Sequence, residues 1–148
     1  MILLSKEQPL SIIGIFLEDH DRIESMLSDF KKHKHEGSKK TYELFKDLSG
    51  ALVRHFHQEE ILYSTYKHKT GQIIAVLQTV REEHEIILKK LSKINDSLMK
   101  QNSDIDVSEL FTLLQRHKNV EDRLLYPELD RVLTDKEREE VYWKIKVS

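Results

Sequence analysis

Apolar residues recur at steps of three and four in four long runs of the chain. In the first, Ile12, Ile15, Phe16, Ile23, Leu27 and Phe30 share one helical face, and His20 lies in their stripe. Pro9 suits the first turn of this helix, and Gly37-Ser38 supplies the turn that follows it. Helix 1 is therefore expected from near Pro9 to just before Glu36. The second run is Phe45, Leu48, Leu52, Leu62 and Tyr66, with His55 and Glu59 in phase, and predicts a helix over about 39–66. Gly50 falls inside it at a cost of ~1 kcal/mol.

The third run predicts a helix over about 72–99, with Ile73, Val76, Leu77, Val80, Ile87, Leu91, Ile94 and Leu98 buried beside His84. The fourth starts between Asp104 and Ser108 and carries Leu110, Leu113, Leu114, Leu124 and Leu125, with His117 and Glu121 in phase. Pro127 is expected to end or kink it near Tyr126. Thr134 and Glu137 have capping-box spacing, which predicts a short fifth helix over about 135–146. Four long amphipathic helices with short links give an all-α, up-down-up-down four-helix bundle over about 9–127, in a single domain of 148 residues.

The polar residues inside the stripes repeat. His55 and Glu59 are four apart in HFHQEE, and His117 and Glu121 are four apart in HKNVED. Lone histidines close LEDH at His20 and REEH at His84. A spacing of four puts each His–Glu pair on one helical face. Folding the halves together brings the matching residues to one level, so four imidazoles and two carboxylates converge between the helices. His57 is about 200° around the helix from His55 and faces away. His33, His35 and His68 are read as surface or boundary residues.

Buried carboxylates are costly without a partner. Glu59 and Glu121 could pair with His20 and His84 in a metal-free network, but six convergent groups are better served by cations. Imidazole and carboxylate without thiolate favour iron, with manganese or zinc as lesser choices. Two six-coordinate ions with bridging carboxylates and an oxo or hydroxo bridge leave about one open position each, as a reactive centre requires. Glu24, one turn beyond His20, is a candidate extra ligand or supporting partner; the simpler reading is a boundary residue paired with a lysine. Tyr63 and Tyr126 follow the two carboxylates and are placed either to donate to the centre or to pack at its rim.

Composition narrows the function classes. The absence of cysteine excludes disulfides, thiolate catalysis and cysteine-held metal. A net charge of -2 gives no broad field for nucleic acid or an anionic membrane, and the Lys31–His35 basic run reads as a solvated helix end. No apolar stretch reaches membrane-span length and no secretory leader is evident, so a cytoplasmic protein is expected. Nothing in the chain points to a pocket for a large organic substrate.

LEDH, HFHQEE, REEH and HKNVEDRLLYP together resemble the hemerythrin family, in particular the small prokaryotic HHE cation-binding domains, over about 9–130. The resemblance implies a non-haem di-iron centre in a four-helix bundle, bridged by two carboxylates. Oxygen-carrying members have two histidines one turn apart on the third helix, where this chain has Val80 and Leu88 around His84. Their last carboxylate is an aspartate five residues past the histidine, which is Asp122 here, whereas Glu121 keeps the spacing of the other half. The set is more similar to the four-histidine, two-glutamate di-iron proteins linked to iron–sulfur cluster repair and nitric oxide defence. Those usually carry a cysteine-bearing N-terminal domain, and this sequence has no cysteine. The expected function is binding or reduction of oxygen, nitric oxide or hydrogen peroxide at two irons. A sensor or iron-handling module without turnover is one alternative, with its protein partner or electron donor left open and with Tyr142, Trp143 and the last helix as a contact surface; an iron–sulfur cluster repair-like role is the other.

Overall fold

The computed structural model describes residues 12–34, 38–66, 73–100 and 106–148. Every element among them is helical. Helix α1 spans Ile12–His33, α2 Ser38–Tyr66, α3 Ile74–Met99 and α4 Ser108–Val120. A π-helical turn, Glu121–Leu125, joins α4 to α5, Tyr126–Val132, and α6 spans Asp135–Val147. The expected start of the first helix at Pro9 lies outside the described residues.

The stripes face inward as their spacing requires. Helices α1 to α4 pack in chain order, α1 on α2, α2 on α3 and α3 on α4, which is the up-down-up-down bundle. The interior has two apolar regions. One is built by Phe30, Phe45, Leu48, Leu91, Ile94 and Leu110. The other is built by Ile12, Leu62, Tyr66, Leu77 and Leu129, and α6 closes it with Val141 and Ile145. The expected capping box is present at the start of α6: Glu137 N–H donates to Thr134, and Thr134 N–H donates to the Glu137 carboxylate.

The fourth helix departs from expectation. Pro127 does not stop the helical path, which runs on to Val132 after a π turn. Proline has no N–H, so a carbonyl one turn back loses its donor. The π turn accommodates this by widening, and Tyr126 N–H bonds Glu121 O, five residues back.

Candidate metal centre

Between the two apolar regions lies a layer of buried polar groups. His20 comes from α1, His55 and Glu59 from α2, His84 from α3, His117 from α4 and Glu121 from the first residue of the π turn. Each is on its helix's inner stripe, so packing the stripes brings all six together. Among the described residues, two sets of donor atoms each fall within 4.8 Å of one another: His20, His55, Glu59 and Glu121, and Glu59, His84, His117 and Glu121. Both sets use the same two glutamates, which are 0% exposed.

The layer is poorly satisfied by protein alone. Glu59 Oε1, Glu121 Oε1, His84 Nε2 and His117 Nε2 are buried without a well-formed hydrogen bond, and their nearest polar neighbours belong to the same layer: His84 Nε2 lies 3.1 Å from Glu59 Oε1, His117 Nε2 3.3 Å from Glu121 Oε2, and His20 Nε2 3.2 Å from Glu121 Oε1. Native interiors rarely leave such atoms without a hydrogen bond, so four in one layer point to cations as their partners. His20 Nε2 and His55 Nε2 also face each other at 3.0 Å while their outer nitrogens are bonded to carboxylates. Two bare nitrogens at that distance repel unless a cation, a proton or a metal, lies with them. The donor types suit a first-row transition metal.

A ring of carboxylates outside the six donors holds the imidazoles, and two of them, Asp19 and Glu83, were not singled out from the sequence. Asp19 Oδ2 accepts from His55 Nδ1 at 2.8 Å, and Glu83 Oε1 accepts from His117 Nδ1 at 2.9 Å. These are equivalent contacts in the two halves. Their signal was present: an acidic residue directly precedes each lone histidine, in LEDH and in REEH. Asp122 accepts from His20 Nδ1 at 2.9 Å and belongs to neither donor set. Such contacts fix the ring and leave Nε2 pointing inward. Phe56 stacks on His84 at 4.0 Å, and Phe16 meets His55 edge-on at 5.7 Å, so ring packing adds to the fixing.

The two halves differ in one of these contacts. The residue matching Asp122 is Glu60, but Arg81 Nε holds Glu60 at 2.9 Å. No carboxylate is bonded to His84 Nδ1 among the described residues. Leu17 stands where the other half has Arg81, so nothing comparable draws Asp122 away. The His20–His55 side therefore has two carboxylate-held imidazoles, and the His84–His117 side has one.

Tyr63 and Tyr126 are buried and point into the layer. Tyr63 Oη lies 2.7 Å from Glu121 Oε2 and 3.0 Å from Glu59 Oε2. Tyr126 Oη donates to Glu59 Oε2 and lies 3.2 Å from His20 Nε2. Tyr126 is five residues past its glutamate and Tyr63 four. In an α-helix a step of five leaves the face; the π turn returns Tyr126 to it. Glu24 is elsewhere: its carboxylate pairs with Lys118 Nζ at 2.7 Å, half-exposed. Among the other histidines His57 is exposed, while His35 and His68 lie outside the described residues.

Burial and charge act in opposite directions here. Burial would lower His55, but Glu59 and the Asp19 hydrogen bond outweigh it and raise the imidazole to about 10. Burial likewise opposes protonation of His117, which Glu121 and Glu59 raise to about 9. Burial would raise Glu121, yet its hydrogen bonds and the neighbouring His117 and His20 hold it well below the usual carboxylate range. Burial, with both glutamates nearby, pushes Tyr63 and Tyr126 well above the ordinary phenol value, so each keeps its proton as a donor.

A family model described as the hemerythrin HHE cation binding domain matches residues 11–129. No curated protein and no solved structure matches the chain. No helix among the described residues is long and apolar enough to cross a membrane.

Proposed function

Because the chain belongs to the hemerythrin HHE cation-binding family, we propose that its six buried donors hold two iron ions bridged by Glu59 and Glu121, and that the centre binds or reduces oxygen, nitric oxide or hydrogen peroxide. The observation that carries this reading is the overlap of the two donor sets: each has two imidazoles of its own and both share the two glutamates. Shared carboxylates are what a pair of ions needs and a single ion does not. Iron so bound would supply electrons and open coordination positions.

The chain's own residues supply the rest. His20, His55, His84 and His117 turn their Nε2 atoms inward, three of them held from behind by Asp122, Asp19 and Glu83. Tyr63 and Tyr126 keep protonated phenols beside the bridging carboxylates, where they can orient a small polar ligand or return a proton to it. Phe16 and Val80 are fully buried in the apolar region beside the layer. Val80 occupies the position of the carriers' additional histidine, which favours reaction over reversible transport. Sensing without turnover draws on a separate observation: Trp143 is 58% exposed on α6 and offers a contact surface.

Rapid mixing of the reduced, iron-loaded protein with each of the three ligands tests the reading. An absorbance change complete within seconds is expected for at least one of them. For oxygen, removing the gas should restore little of the starting spectrum. Silence toward all three would overturn the proposal, and full recovery over many oxygen cycles would assign transport instead.

A further inference from the structure

Between α1 and α4 a cavity of about 1000 Å³ opens to the surface and reaches His20, His55 and His117. No motif in the sequence signals this cavity. A diatomic needs a small fraction of this space, whereas the volume is typical of sites for organic ligands. The walls are Ile23 and Leu27 from α1, Leu52 and Phe56 from α2, and Phe111 and Leu114 from α4. Given the antiparallel helices, five of them lie on one side of the donor layer, and Phe56, stacked on His84, is level with it. Ile23 and Leu27 follow His20, while Leu52 precedes His55 and Leu114 precedes His117.

At the far end of this apolar stretch stands Lys31, its Nζ 5.3 Å from the centre of the Phe111 ring. At a rise of 1.5 Å per residue, His20 and Lys31 are about 16 Å apart along α1. The charges along the lining are unbalanced. Lys31, Arg116, Lys118 and Arg123 line it, against one carboxylate, Glu24. Glu24 is taken by Lys118, and Arg116 is bonded to Glu83 outside the lining. Lys31 and Arg123 have no carboxylate partner among the described residues. Arg123 lies past the donor layer, which leaves Lys31 as the cation at the mouth of the apolar stretch that has no carboxylate partner among the described residues.

We propose that this cleft binds an anionic amphiphile, a medium-chain alkyl carboxylate whose head pairs with Lys31 and whose tail runs over Leu27 and Ile23 toward the histidines. Its length matches the distance from Lys31 to His20, its apolar body matches the walls, and its charge answers the surplus of cations. This goes beyond the small-ligand reading and stands without it, because the six wall residues and Lys31 include no proposed metal donor.

Calorimetry on the full-length protein, with metal content measured on the same samples, tests the proposal. The probes are octanoate, decanoate and dodecanoate below their micelle-forming concentrations, with dodecylammonium as the opposite charge. One carboxylate per chain is expected, tightening up to about fourfold for each added methylene. Dodecylammonium should bind at least about tenfold more weakly, and Lys31→Glu should weaken dodecanoate to a similar degree, as expected for loss or reversal of one charge contact. Leu27→Trp should put a ring across the path of the tail and weaken binding. Lys31 is exposed, so its variant keeps the test open even if Leu27→Trp fails to fold. Absence of dodecanoate binding, equal binding of dodecylammonium, or binding indifferent to Lys31→Glu would overturn the proposal. So would a dimer in sedimentation that masks the cleft and admits no carboxylate, which would give the face to a second copy. Metal content separates a failure here from a failure of the di-metal reading.

Discussion

Tyr63 Oη lies 2.7 Å from Glu121 Oε2, a contact between residues 58 apart that joins the two halves of the chain through the polar layer. The same phenol reaches Glu59 at 3.0 Å, so one proton serves both shared carboxylates. Tyr63→Phe should leave metal content unchanged, since the phenol is not among the donors. It should cost about 1–3 kcal/mol of stability by leaving a buried carboxylate short of a donor. Thermal unfolding and elemental analysis of the variant check this. Metal loss as large as that of Glu59→Ala would show that the phenol is a ligand.

The inequality of the two halves has a measurable consequence. Both imidazoles on the His20–His55 side are held by carboxylates, whereas Arg81 draws Glu60 away from His84. Losing such a partner typically weakens metal affinity by about 10–100-fold. Metal should therefore load in two resolved steps, the tighter on the His20–His55 side. Asp122→Asn should weaken that step and bring the two together in a titration. An unchanged isotherm would show that the outer contacts do not set affinity here.

Metal uptake should release protons. In the metal-free protein His55 at about 10 and His117 at about 9 are protonated at neutral pH. A ligating imidazole must present a bare nitrogen, so loading displaces about two protons per chain. These raised values favour the proton below them, so apparent metal affinity should rise with pH through the neutral range. Calorimetric loading at pH 7 in buffers of different ionisation heat counts the protons. No release would mean that the two rings are already neutral.

Gly50 offers a test of the fold separate from the centre. It lies inside α2, and a Cβ added there meets nothing within 4 Å. Gly50→Ala should raise stability by about 1 kcal/mol through helix propensity. Denaturant unfolding measures it; a loss would mean that α2 is not a regular helix at this point.

The stripes and the phases of the four histidines were legible because a buried helical face must repeat at three and four, whatever fills it. The supporting contacts were half legible. Asp19 and Glu83 sit one step off the inner face, where an acidic residue reads as solvated, yet each reaches across to the next helix. The π turn was not legible, because widening by one residue shifts the phase that periodicity assumes. Only the unequal spacing of Tyr63 and Tyr126 from their glutamates marks it. The pairing of Arg81 with Glu60 and the cleft between α1 and α4 depend on how far helices stand apart, which no single stripe encodes.

The central claim is that Glu59 and Glu121, with four histidines, hold two metal ions. Elemental analysis of protein purified from iron-replete cells tests it most directly, with His55→Ala, Glu59→Ala and His57→Ala measured alongside. About two irons per chain are expected, lowered in His55→Ala and Glu59→Ala together with the thermal midpoint, and unchanged in His57→Ala, whose side chain is exposed. Protein without metal, or equal loss in His57→Ala, would contradict it.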